Sequence, residues 1–234
     1  MKQFSNLYIF CFSSALALFV AAALSFTSLS LEEKQKENIE IERQQNILMA
    51  LGVIVERSEV LTTFPQYIKQ GIVIKSDGTI VEGKNADEID LKKENAEPVA
   101  SRLLPLYLAE KDGRSFVIIP VRGPGLWGQI WGNIALENDM NTICGVCFDH
   151  AGETPGLGAE INMPKFENQF QNKKLFNEAN QFVSIKIEKT GTYTPDNHTV
   201  DAISGGTFTS KSVQNMIFQC LEPYQAYFSQ HKLN

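Results

Sequence analysis

The sequence predicts an α+β protein: one domain with a mainly antiparallel sheet and flanking helices, carried on a single N-terminal transmembrane helix. Three observations point there. Residues 3–31 carry no charged side chain and are strongly apolar. Several short apolar or alternating runs of strand length follow, separated by Gly, Pro and Asn turns. Near the C-terminus, Val213, Met216, Ile217, Cys220 and Leu221 recur at helical spacing. The 234 residues, 43% hydrophobic and 21% charged, suffice for one cored domain plus an extra segment and argue against disorder.

Residues 1–31 form the expected anchor. Leu7, Ile9, Phe10, Phe12, Leu16, Leu18, Phe19, Val20 and Leu24 give a run long enough to cross a hydrocarbon core as a helix, which takes about 20 residues. Lys2 precedes the run and Glu32 and Glu33 follow it, which places the N-terminus in the cytoplasm and the body outside. A cleaved signal peptide, with Ala21-Ala22-Ala23 as the small-residue site, is the alternative. The run continues through Phe26 and Leu29, longer than a usual signal core, which favours the uncleaved anchor. Residues 32–60 are expected to form a helical stalk. There Gln35, Ile39 and Arg43 share a face, Ile47, Leu48 and Leu51 make an apolar end, and Gly52 interrupts.

Residues 61–234 form the expected domain. All 27 acidic residues lie at or after Glu32, against 20 basic ones there, a net of −7. That balance argues against a nucleic-acid partner, which would need a basic face, and against adhesion to an anionic membrane surface. Ile72-Val73-Ile74 and Ile80-Val81 flank Ser76-Asp77-Gly78-Thr79 as a β-hairpin. Residues 86–97 are charged and read as a solvated connection. Residues 116–121 read as a buried strand that Pro120 brings to an edge or bend. After the Gly123-Pro124-Gly125 turn, Leu126, Ile130, Ile134 and Leu136 share one strand face, with Trp127, Gln129, Trp131 and Asn133 on the other. Such a tryptophan face could support an aromatic ring or pack against a helix.

Cys144 and Cys147 have CxxC spacing, but a strand would point them to opposite faces, and no second pair completes a zinc site. They read as separate thiols, like Cys11 and Cys220. His150 has no second histidine at ligand spacing, so no metal is assigned. Residues 164–179 read as a helix and residues 182–189 as a strand.

Asp201-Ala202-Ile203-Ser204-Gly205-Gly206-Thr207-Phe208-Thr209 organises the rest. Two glycines among hydroxyl residues let backbone amides approach an anion, and the helix that follows turns its positive end toward it. Ser210 is the expected N-cap, and Lys211 lies close by. The bare pattern admits a phosphate site or a loop entering a surface helix.

The stretch closely resembles the flavinylation motif Asp-x-x-Ser/Thr-Gly-Ala-Thr-x-Thr of FMN-binding subunits in bacterial respiratory complexes. Asp201, Ser204, Gly205, Thr207 and Thr209 match, and Gly206 replaces the usual Ala. Glu153-Thr154-Pro155-Gly156-Leu157-Gly158 is similar to that family's flavin-contacting loop, and Gly125-Leu126-Trp127 to a segment that precedes it. With the anchor, the likeness spans essentially the whole chain. It fits best the C-subunit family of the sodium-translocating NADH:quinone reductases, with the G-subunit family of the Rnf ferredoxin:NAD+ complexes as the runner-up. A non-redox anchored scaffold is the reading from another class.

The resemblance implies FMN in phosphoester linkage to Thr209, donated from FAD by a flavin transferase. It implies cofactor contacts at Asp201, Ser204, Gly205, Gly206, Thr207, Lys211, Glu153, Thr154, Leu157, Gly158 and Trp127, and no residue doing bond chemistry in turnover. Electrons would pass from an iron–sulfur centre to this flavin and on to a second one toward quinone. The chain would act within a multisubunit complex of the bacterial inner membrane, spanning it once, with its domain on the periplasmic side.

Overall fold

A computed structural model describes residues 5–232; Lys2, which bears on the membrane orientation, lies outside them. Helix α1 (Asn6–Ala50) is 45 residues long, about 68 Å at 1.5 Å per residue. It is long and apolar enough to cross a membrane. The chain divides into two compact units, residues 1–43 and 44–234. In the first, large apolar side chains such as Leu7, Phe10, Phe19, Leu24 and Phe26 are exposed. The Thr27 and Ser30 hydroxyls donate back to the Ala23 and Phe26 carbonyls at 2.8 Å, so neither hydroxyl needs water as a partner. Beyond it, Lys36 pairs with Glu32 and Arg43 with Glu40, each at 2.6 Å.

The second unit is built on a five-stranded antiparallel meander, ordered β1 (Ile68–Ile74), β2 (Leu104–Lys111), β3 (Arg114–Pro124), β4 (Gln129–Glu137) and β5 (Ile143–His150). Strand alternation sorts its side chains. Val117, Ile119, Val121, Ile130, Ile134, Leu136, Val146 and Phe148 enter the larger core, with helices α5 (Thr207–Leu221) and α6 (Gln225–His231). Phe116, Ile118, Ala135 and Cys147 enter a smaller core on the other face. There the final turns of α1 supply Ile47, Leu48 and Ala50, Leu51 follows just past the helix, and α2 (Val60–Tyr67) adds Phe64 and Tyr67. Gly52, at φ +71°, turns the chain out of α1, as its sequence position suggests.

Several local expectations change. The turn at Ser76-Asp77-Gly78-Thr79 forms, but its return arm is a single bridge, Ile74↔Ile80, on the edge of β1 opposite β2. Short helical turns, including α3 (Leu91–Glu94), occupy the charged connection. Pro120 lies in the central strand. The β2–β3 ladder ends at Tyr107↔Ile118, two residues short of it, so on that side its missing N–H breaks no pairing. Trp127 is outside β4, in the turn before it, so only Trp131 remains in the strand; there the Arg122 guanidinium sits 5.7 Å from its ring centroid. A register shift opposite Cys144 lets it and Cys147 both face the smaller core, against the opposite faces that simple alternation requires. Both are free thiols, and burial pushes Cys147 up to about 12.

The helix expected over residues 164–179 is limited to α4 (Pro164–Glu167) and one further turn. Asn172, at φ +62°, leaves the helical region, and Phe166 and Phe170 pack on Phe148 with ring centroids 6.3 and 5.3 Å away. The alternating run at residues 182–189 yields only β6 (Lys186–Glu188), parallel to β7 (Thr199–Asp201). Ser184 takes φ +57°, which no strand accommodates.

Candidate functional site

Three loops converge at the start of α5. The first is the turn at Gly125-Leu126-Trp127-Gly128 between β3 and β4, closed by the Gly125 N–H donating to the Gly128 carbonyl at 2.7 Å. The second is the Glu153–Gly158 segment that follows β5. The third is Ser204-Gly205-Gly206, which leads from β7 into α5. Gly205 adopts φ +75°, and a Cβ there would fall 2.6 Å from the Leu157 side chain. Gly206 is the N-cap and no side chain caps the helix, so the first-turn amides lack an intrahelical acceptor. Ser210 is not the cap: it lies inside α5, where its hydroxyl accepts from the Ile203 N–H at 3.0 Å.

The loops are tied together by one hydrogen-bonded set. Thr209 Oγ1 donates to Glu153 Oε2 at 2.6 Å. The other carboxylate oxygen, Oε1, accepts from the Leu126 and Trp127 N–H groups at 2.8 and 3.0 Å. Thr209 is 2% exposed and Glu153 4%. Burial works to raise the Glu153 carboxyl, but the hydrogen bonds from Thr209, Trp127 and Leu126, with His150 nearby, outweigh it and hold the carboxyl below its ordinary 4.5. Gly158 closes the set: a Cβ there would run into Thr209 Oγ1 and lie 2.6 Å from Glu153 Oε2.

Around this polar centre stands an apolar rim. Leu126 and Leu157 are exposed, Trp127 is 71% exposed and Phe208 73%. A hydroxyl that can be esterified, uncapped helix amides, side-chain-free backbone and an aromatic rim suit a ligand made of a flat ring and a phosphate. These residues fit FMN.

The comparisons with known proteins agree. Residues 125–222 match the family model described as FMN-binding domain. The C subunit of the Na(+)-translocating NADH-quinone reductase from Vibrio vulnificus is 34% identical over 217 residues, covering 86% of this chain and 84% of that one. The corresponding protein from Pseudomonas aeruginosa is 32% identical, with 86% and 84% covered. Among solved structures, the C subunit from Parabacteroides distasonis superposes with a TM-score of 0.79 at 38% identity, covering 85% of this chain and 97% of that one.

This chain belongs to the C-subunit family of the Na+-translocating NADH-quinone reductases.

A second structure, NqrC of Shewanella oneidensis, has a TM-score of 0.70 at 30% identity, with 82% and 96% covered. Within this C-subunit framework the expected site residues are not all brought together. Glu153 and Gly158 meet at the Thr209 hydroxyl, the Trp127 N–H bonds the other Glu153 oxygen, and Leu157 packs against Gly205 and Gly206. Ser204, Thr207 and Thr154 are exposed beside it, and the Thr154 carbonyl accepts from Leu157 and Ala159 N–H groups at 3.1 Å. Asp201 stands apart, in β7, where Tyr193 donates to it at 3.2 Å. Lys211 is exposed on α5. Sequence reasoning missed the Glu153–Thr209 hydrogen bond and the part of His150, whose Nδ1 accepts from the Glu153 N–H at 3.3 Å. No spacing rule links residues 56 positions apart; the small residues of the two loops were the one available hint.

Proposed function

We propose that this chain is the FMN-carrying electron-transfer subunit of a Na+-translocating NADH-quinone reductase, and that its FMN is esterified to Thr209. The observation that carries the reading is the convergence of three separate loops on the Thr209 hydroxyl through both oxygens of Glu153. Bound FMN would supply reversible electron transfer; the chain's residues supply position and surroundings. The Gly205–Thr207 backbone and the α5 N-terminus favour the phosphate charge, and Lys211 adds a cation nearby. Leu126, Trp127, Leu157 and Phe208 offer apolar surface to the ring and keep water from it.

The partners follow from the family: the other subunits of the reductase, a flavin transferase during maturation, and the membrane through α1. The domain would lie on the periplasmic side of the inner membrane. An iron–sulfur donor and a second flavin as acceptor rest on the family resemblance.

Gly206 in place of the usual Ala is the one departure from the motif that would favour a scaffold. The structure gives that glycine a packing reason, since a Cβ there would lie 2.9 Å from the Ile203 side chain. The test is expression beside a flavin transferase. The denatured full-length chain is expected to fluoresce in the gel, and Thr209→Ala to abolish that fluorescence while remaining folded. A dark wild-type band would overturn the reading.

A further inference from the structure

Thr209 faces two incompatible demands. In the bare chain its hydroxyl is buried and donates to Glu153 at 2.6 Å. Once esterified, that oxygen has no hydrogen to donate, and the phosphodiester brings a negative charge beside a carboxylate held in its ionised form. The carboxylate cannot keep its place in both states.

The covering of the hydroxyl points the same way. Gly158 lies directly over Thr209 Oγ1, and Leu157 rests on Gly205. A phosphorus atom can reach the hydroxyl only if this segment lifts. Glu153 sits on the same loop, so lifting Gly158 draws it away too. Gly152 precedes Glu153 and Gly156 lies between Glu153 and Gly158, and a Cβ at either would meet open space, so the segment has room to turn at both.

We propose that Glu153 is a latch: it holds Thr209 closed in the bare chain and leaves it when flavin is attached, releasing the Leu126–Trp127 turn. The proposal rests on Thr209 being the attachment site. In the attachment step Thr209 Oγ1 bonds to the riboflavin-side phosphorus of FAD. The P–O bond to the AMP half breaks, AMP leaves, and the hydroxyl proton passes to solvent. Glu153 is a positioning residue that opposes this step until it swings clear. The same contact would suit proton abstraction, and the sign of one substitution separates the two roles.

The test uses full-length bare protein in detergent, made without transferase, then given purified flavin transferase and FAD and followed by intact-mass spectrometry. Glu153→Gln keeps the shape and removes the charge, and is expected to load at least fivefold faster than wild type. An equal rate overturns the latch; a slower one overturns it in favour of Glu153 as base. If the wild type takes up no FMN at Thr209, the attachment reading fails and the latch fails with it. A second measurement needs no variant. The Glu153 side-chain carboxyl of the wild type, followed by NMR, is expected to titrate closer to its ordinary value after loading, and an unchanged titration contradicts the release.

Discussion

Glu153 spends all its bonding on holding loops together, which gives it a testable acid dependence. Its carboxyl is held below 4.5 in the folded chain, so its stabilising contribution is present above the unfolded value and is lost as pH falls through the folded one. Glu153→Gln is therefore expected to be less stable than wild type at neutral pH, with the gap narrowing below about pH 4.5; urea unfolding at several pH values measures it. A gap independent of pH would mean that the charged form is not what ties the loops. The Glu153 loop and the Thr209 stretch stood out in the sequence as candidate-site segments because they resemble family motifs. Their contacts did not. A hydrogen bond between residues 56 apart depends on how β5 and α5 are placed, and no local pattern encodes that. The helix start shows the same limit: Ser210 looks like a cap, yet backbone geometry gave that place to Gly206 and turned Ser210 inward.

At the level of elements, the long periodic runs were readable and the short ones were overruled by packing. Strands β3, β4 and β5 and helix α5 follow their apolar spacing. The alternation at residues 182–189 was real, but Ser184 left the strand region, and β6 kept three residues. After Pro164 the chain leaves the helix at Asn172, which takes φ +62°, once Phe166 and Phe170 have reached Phe148. Cys144 broke the period by sitting at a bulge. The loop after β5 is the element most exposed to a small change. Gly158→Ala would push a methyl group into Thr209 and Glu153, and overpacking of this kind costs about 1–3 kcal/mol. A lowered thermal midpoint is expected; an unchanged one would show that the loop yields freely.

At the scale of the whole molecule, two units divide the work. The apolar length of α1 is suited to lipid, and its polar remainder carries ion pairs suited to water. The domain beyond it is acidic and both faces of its sheet are covered by apolar cores. The full chain is thus expected to stay with the membrane fraction through an alkaline carbonate wash, which strips proteins held by charge alone. Release into the wash would remove α1 as an anchor. The meander order and the layering were not legible in the sequence, because partner choice among strands of similar composition is settled by packing across the sheet.

The central claim is that one buried threonine carries the flavin. Peptide mass spectrometry of residues 200–211, from protein purified out of its native membrane, tests it most directly. The account predicts that Thr209 bears the mass of FMN in phosphoester linkage. An unmodified Thr209 throughout the preparation would contradict it.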